Sequence, residues 1–347
     1  MPIDKETFDN IFKPLKKNTE VAILLQRSPD PDALGSAAGL ATLLKEAFSI
    51  NTRIFHFGDV SHPQNKSMKN SLHISLRKCD SIDDFDHSKY ECKIVLDTDF
   101  RSTGFCREEV AGLDKCQVRI DHHQMESEDV DYEDVRSVGS TCSIVWDYLR
   151  EYDISLDKHT DTATALLLGI KTDTHDFTSV NTSDLDMEAY RDLLGKVDRS
   201  VLAGIINFPL PGLVFETEGQ AYKDRKVINT TLVSFVGECS SQHRDIIPYI
   251  ADRFSRMEGI NTVVIMGIIE SHLIASVRSI DSRVDVFDLC SSAFGKEFSG
   301  AKEGSGGARI PLGPVLDCIK DEEVKGRVMK EISESFTEKI LSHLGEE

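Results

Sequence analysis

Short runs of branched apolar residues alternate with amphipathic stretches through the first half of the chain. VAILLQ (21–26), TRIFHF (52–57), KIVLDT (93–98) and QVRID (117–121) are predicted to be strands. Residues 33–47, 140–152 and 162–173 are predicted to be helices packing over them. Alternation of this kind builds a mostly parallel sheet with helices on both faces. Each polar motif of this half falls where a strand or helix ends, and the carboxyl edge of an open α/β sheet is where ligands bind.

The pattern changes between about 195 and 225. FPLPGL (208–213) has two prolines and a glycine, which disfavour a regular element, and ETEGQAYKDRK (216–226) reads as a linking helix. A new set follows: the β-rich run VINTTLVSFV (227–236), a helix over DIIPYIADRFSRM (245–257), and TVVIMGIIE (262–270) with HLIASVRS (272–279) as a hairpin about Ser271. SGAKEGSGGARIPLG (299–313) is expected to be a Gly/Ser-rich loop, and an amphipathic helix is expected near 321–344. The expected class is α/β. A domain over 1–195 and a linker over 196–225 precede a smaller α/β domain over 226–347, with a cleft between the two domains.

At 347 residues, two domains and a sizeable core are expected. The net charge of -19 argues against a general affinity for long duplex DNA, where phosphate neutralisation supplies most of the binding. It leaves room for a local basic pocket for one phosphate, and a solvated surface with no partner explains it equally well. No apolar run is long enough to span a bilayer, and the acidic start MPIDKETFDN has no secretion signal, so a cytoplasmic protein is expected. Cys79, Cys92, Cys106, Cys116, Cys142, Cys239, Cys290 and Cys318 form no C-x-x-C pair, so they are expected to be reduced and mostly buried.

Four clusters carry candidate chemistry. In QRSPDPDALGSAAG (26–39), Asp30 and Asp32 lie two apart where a strand gives way to a helix. Carboxylates this close repel unless cations sit between them, but a helix cap and turn explains the segment as well. Asp97 ends an apolar strand in LDTDF (96–100), an expensive place for an unpaired carboxylate. RIDHHQ (119–124) places Asp121, His122 and His123 at another strand end, a triplet that favours a metal. GIKTDTHDF (169–177) adds Asp173, His175 and Asp176, with a plain loop start as its alternative. Mixed carboxylate and imidazole ligation suits Mn²⁺, and to a lesser degree Mg²⁺, Fe²⁺ or Co²⁺. One carboxylate bridging two such ions is the usual arrangement for phosphoryl hydrolysis.

PDPDALGS, LDTDF, DHH, GSTCSIV, GIKTDTHDF, SVRS and SGGAR follow one another in the order of a known family. From about Val21 to Gly313 the chain resembles the DHH phosphoesterase superfamily, in particular the NrnA-type branch with a DHH-associated C-terminal domain. The resemblance implies Asp30 as ligand of a first metal and Asp32 of a second, with Asp97 bridging them. His122 and Asp173 would complete the second site, and His123 would face the substrate phosphate. Asp97, His122 and His123 are thereby the catalytic candidates, with Asp121 orienting the histidines. In the second domain it implies Arg278 meeting a substrate phosphate or terminus, and Gly306 and Gly307 admitting backbone amides to an anion.

The chain departs from the family's pattern twice. Gln26 stands where a ligand histidine is usual, with a neutral amide oxygen as its only donor and with His175 as a candidate substitute or else a loop histidine. Arg309 stands where the C-terminal motif commonly has histidine, and offers a bidentate fork for an anion. The resemblance implies a phosphoesterase with two Mn²⁺ ions, or Mg²⁺ or Co²⁺, acting on short RNA or DNA oligonucleotides (nanoRNA) or small nucleotides such as 3'-phosphoadenosine 5'-phosphate. The alternative is a nucleotide-binding protein with little catalysis, motivated by Gln26. Neither a membrane nor long duplex DNA is an expected partner, and a homodimer is left open.

Overall fold

Six strands form the first sheet: β1 (Glu20–Leu24), β2 (Asn51–Phe57), β3 (Leu76–Cys79), β4 (Cys92–Leu96), β5 (Cys116–Asp121) and β6 (Tyr132–Val135). Their order is β3-β2-β1-β4-β5-β6, and every pairing is parallel. The chain leaves β1 in one direction to build β2 and β3, then returns to the other side for β4, β5 and β6. The crevice beyond the carboxyl ends of β1 and β4 is therefore a topological switch point. This computed structural model describes residues 3–60, 62–105, 116–123, 127–240, 245–302 and 304–345. Cys106, Gln124 of the RIDHHQ motif and Glu303 of the Gly/Ser-rich segment lie outside the described residues, as does the side chain of Cys116.

The chain divides after Phe208 into two units. The first also holds α1 (Lys5–Phe12), α2 (Pro31–Phe48), α3 (Pro63–Ser71), α4 (Thr141–Glu151), α5 (Thr160–Asp173), α6 (Asp184–Leu193) and α7 (Arg199–Ile206). β4 is buried along its whole length and β1 along nearly all of its own, as strands covered on both faces should be. Val21, Ile23 and Leu25 face a core shared with α1, α2, α4 and α5. Ala22 and Leu24 face the other way, onto Phe55, Phe85, Tyr90 and Phe100. This is the period of two expected of a strand.

α2 starts sharply because Asp30 caps it and Pro31 fills its first turn. It lies against α5 at a close approach that Gly169 makes feasible: a Cβ there would stand 2.4 Å from Cys142 Sγ and 3.0 Å from the Pro31 carbonyl oxygen. That approach brings the amino end of α2, with Asp32, beside the carboxyl end of α5, with Asp173.

The second unit is built on β7 (Lys226–Ile228), β8 (Thr231–Glu238), β9 (Thr262–Ile269), β10 (His272–Ser279), β11 (Ser299–Lys302) and β12 (Ser305–Pro311), in the order β11-β12-β10-β9-β8-β7. Only the β8–β9 pairing is parallel. α8 (Gly212–Lys223) and α9 (Ile246–Phe254) share one core with this sheet, and α10 (Val286–Phe294) and α11 (Glu322–His343) share the other.

The 299–313 segment departs from its expectation as a loop, since it folds into β11 and β12. Its glycines serve close packing: a Cβ on Gly306 would stand 2.6 Å from Cys290 Sγ and 2.8 Å from Val286 Cγ1 of α10. The 227–236 run is broken by a left-handed Asn229 into two strands. The 196–225 segment contains α7, in the first unit, and α8, in the second. Cys79, Cys92, Cys142 and Cys290 are free thiols and buried, Cys239 is half-buried and Cys318 exposed. No helix among the described residues is long and apolar enough to cross a membrane.

Candidate metal centre

Four elements deliver side chains to the switch point. Asp32 comes from the first turn of α2, and its carboxylate faces the amino end of α4. Ser140 Oγ donates to Asp32 Oδ1 at 2.5 Å, Cys142 N to the same oxygen at 3.0 Å, and Thr141 N to Oδ2 at 2.7 Å. Backbone N–H groups at a helix amino end are suited to a carboxylate's oxygens. Asp97 follows β4 in a left-handed conformation (φ 60°), a strain that persists at sites where the surroundings fix it. Its Oδ1 accepts from Thr141 Oγ1 at 2.8 Å. Asp173 is the last residue of α5, where a negative charge meets the negative end of the helix dipole.

His122 stands among these three. Its Nε2 is 3.1 Å from Asp173 Oδ2, 3.6 Å from Asp97 Oδ1 and 3.9 Å from Asp32 Oδ2. Its Nδ1 is 3.1 Å from the Val138 carbonyl oxygen. A carbonyl only accepts, so Nδ1 donates to it and Nε2 is the ring atom turned toward the carboxylates. That Nε2 is buried and makes no hydrogen bond. Burial, with Asp32 and Asp30 nearby, pushes the Asp97 carboxyl well above its usual range. Burial and Asp32 push Asp173 up to about 7. Carboxylates crowded about a buried ring nitrogen make an environment that a divalent cation stabilises. Asp32, His122 and Asp173 bring ligand atoms within 4.8 Å of one another, as do Asp97, His122 and His123. Oxygen ligands with one or two imidazole nitrogens fit Mn²⁺, Mg²⁺ or a similar ion.

Residues 20–170 match the N-terminal domain of the DHH family. The N-terminal unit is a DHH domain. An uncharacterised protein of Methanocaldococcus jannaschii is 34% identical over 332 residues, which cover 95% of this chain; the chain spans 65% of that relative's length. The crystal structure of an exopolyphosphatase-related protein from Bacteroides fragilis is 17% identical, with a TM-score of 0.69 over 97% of this chain and 98% of that one. That likeness shows the fold.

The DHH triplet holds itself in place through Asp121. Its Oδ1 accepts from His122 N at 2.8 Å, His123 N at 3.0 Å and His123 Nδ1 at 2.8 Å, while Oδ2 takes Arg119 Nη2 at 2.7 Å. Burial alone would raise Asp121, but the bonds from His123 and Arg119 hold it at about 2. The bond to Asp121 raises His123 in turn. The His123 ring is half-exposed and Asp121 takes its Nδ1, so its Nε2 is the atom left for a ligand.

The remaining candidates of the DHH domain are placed differently. Asp30 Oδ1 caps α2, accepting from Asp32 N and Ala33 N. Its Oδ2 accepts from Gln26 Nε2 at 3.0 Å, so the amide at this position acts as a donor. His175 and Asp176 are exposed, and with Phe177 they form three successive left-handed residues that turn the chain away from Asp173. Asp176 pairs with Lys171.

In the second unit, β10 and β12 pair Ile274 with Arg309, Ser276 with Gly307 and Arg278 with Ser305, so these six residues share one face. Arg278 is held there by Asp252 Oδ1, 2.5 Å from its Nε, and by Ser276 Oγ, 3.0 Å from its Nη1. Arg309 is exposed. Gly306 lies on the opposite face, against α10. β12 has partners on both sides at Gly306 and Gly307, so their N–H groups serve the ladder rather than an anion.

Several supports carried no assigned role in the sequence. Ser140 and Thr141 belong to GSTCSIV, yet their partners Asp32 and Asp97 are distant in the chain. Val138 contributes only a carbonyl, which no residue type signals. Asp186 of α6 is fully buried and accepts from Gly139 N at 2.8 Å and Ser143 Oγ at 2.6 Å, fastening the loop that presents Val138 and Ser140.

Proposed function

We propose that this chain is a divalent-metal-dependent phosphoesterase acting on short oligonucleotides or small nucleotides. The observation that carries the reading is the buried His122 Nε2, which makes no hydrogen bond and is aimed at Asp32, Asp97 and Asp173 by the bond of its Nδ1 to Val138. Asp32, Asp97, His122 and Asp173 would hold the ion. A divalent ion bound there supplies a Lewis acid for a phosphoryl oxygen and for water. Asp121 on its Nδ1 favours the protonated ring of His123, whose Nε2–H would hold a phosphoryl oxygen. Thr141 and the amino end of α4 keep Asp97 and Asp32 oriented. Arg278 and Arg309 of the second unit carry guanidinium groups, the kind of group that holds a phosphate or carboxylate. A net charge of -19 fits recognition of a few nucleotides at local cations rather than of a long phosphate track.

The test is a panel with Mn²⁺: a ribo-dinucleotide, a five-nucleotide RNA, 3'-phosphoadenosine 5'-phosphate, a cyclic dinucleotide and pyrophosphate. Wild-type protein should release mononucleotide or phosphate from a nucleotide member, and Asp97→Ala should lower turnover by ~10³-fold, about 4 kcal/mol of barrier. Absence of turnover across the panel, or turnover indifferent to Asp97→Ala, contradicts the proposal. The hydrogen bond from Gln26 to Asp30 favours a second reading, a nucleotide binder with little catalysis. That protein would bind a panel member with Mn²⁺ present and release nothing.

A further inference from the structure

The carboxylates at the switch point fall into two corners that differ in what faces them. In one corner stand Asp32, Asp97 and Asp173, with the unpartnered, buried His122 Nε2 between them. Among the described residues Asp32 accepts three hydrogen bonds at the amino end of α4 and Asp97 one, from Thr141, but Asp173 accepts none. Ligand atoms of Asp32, His122 and Asp173 already lie within one ion's reach of each other.

The other corner is Asp30. Its Oδ1 receives two backbone N–H groups and its Oδ2 receives the Gln26 side chain. A carboxylate attracts only the NH₂ end of an amide, so Gln26 turns its hydrogens toward Asp30 and its single coordinating atom away. Among the described residues, Asp30 joins no cluster of three His, Cys, Asp or Glu ligands. An ion here would have to displace a charge-assisted hydrogen bond and accept a neutral amide in place of an imidazole. His175, the nearest candidate substitute in the sequence, is turned outward by the left-handed run that follows Asp173.

We infer that this chain holds a single divalent cation, at the Asp32–His122–Asp173 corner with Asp97, and that Gln26 closes the neighbouring position by donating to Asp30. The inference rests on the reading of the switch point as a cation centre. Gln26 thereby sets the stoichiometry. Its hydrogen bond gives the Asp30 Oδ2 a partner where a second ion would otherwise be its partner. In a one-ion centre, contacts to a phosphoryl group that a second ion would supply fall to the chain's own donors, His123 first among them.

The experiment is equilibrium dialysis of the full chain against Mn²⁺, with the electron paramagnetic resonance spectrum of the bound ion as a second readout. Wild-type protein should bind one Mn²⁺ per chain, with the six-line spectrum of an isolated ion. Gln26→His should bind two, with the broadened spectrum of a coupled pair. Two ions of comparable affinity in the wild type overturn the inference and leave the phosphoesterase reading standing. No bound ion in the wild type overturns both. The wild-type measurement decides the question even if Gln26→His folds poorly.

Discussion

The parallel sheet of the DHH domain carries its chemistry in the segments beyond its strands, whereas the mixed sheet of the second unit carries its polar groups on the strands themselves. In the first, Asp97 and the DHH triplet sit at the ends of β4 and β5, and Asp32 follows β1. Backbone leaving a strand is free of the ladder, so carboxylates and imidazoles from distant segments converge on one crevice. In the second, Arg278 and Arg309 alternate with residues of the opposite face, and each is anchored by its register. A crevice at strand ends suits a small ion held from several sides, and a sheet face suits an extended anionic ligand.

Variants should separate the two regions. The largest effect is expected from Asp186→Ala. It leaves Gly139 N and the Ser143 and Ser183 hydroxyls without their buried acceptor. The expected loss is about 3 kcal/mol of stability, measured by denaturant unfolding, together with a weaker affinity for Mn²⁺. Asp186→Asn should recover part of both. A purely structural role for Asp186 would lower stability and leave Mn²⁺ affinity unchanged. Next comes Gly306→Ala, whose Cβ would collide with Cys290 and Val286. About 2 kcal/mol should be lost from the second unit, with Mn²⁺ binding at the DHH domain unaltered. Smallest is Arg278→Ala or Arg309→Ala, each expected to raise KM for a nucleotide substrate about tenfold, or about 1.4 kcal/mol. Stoichiometry and affinity for Mn²⁺ should not move. A fall in Mn²⁺ binding in either arginine variant would break the separation.

The division also explains what the sequence made legible. β1, β2, β4 and β5 each carry branched apolar or aromatic residues enough to announce themselves, and the motifs after β1, β4 and β5 are contiguous because a loop at a strand end gathers its residues locally. β3 (LRKC) and β6 (YEDV) carry too little apolar residue to register as strands, since edge strands are held by one neighbour and tolerate charge. β11 and β12 were hidden by glycine, which in isolation signals a turn and here permits α10 to approach. The supports of the centre were the least legible part. Thr141 and Asp97 lie 44 residues apart, and Asp186 and Gly139 lie 47 apart. Only the fold makes those pairs neighbours. Gln26 was visible as a departure, but its direction as a donor to Asp30 belongs to the structure.

The central claim is that a buried imidazole nitrogen, oriented by the Val138 carbonyl, marks a cation centre. Its most direct test is the affinity of wild-type and His122→Ala protein for Mn²⁺, read from the free-ion resonance signal during titration. Tight, saturable binding that weakens by ~10²-fold or more in His122→Ala is the predicted result. Equal affinity in the two proteins would contradict it.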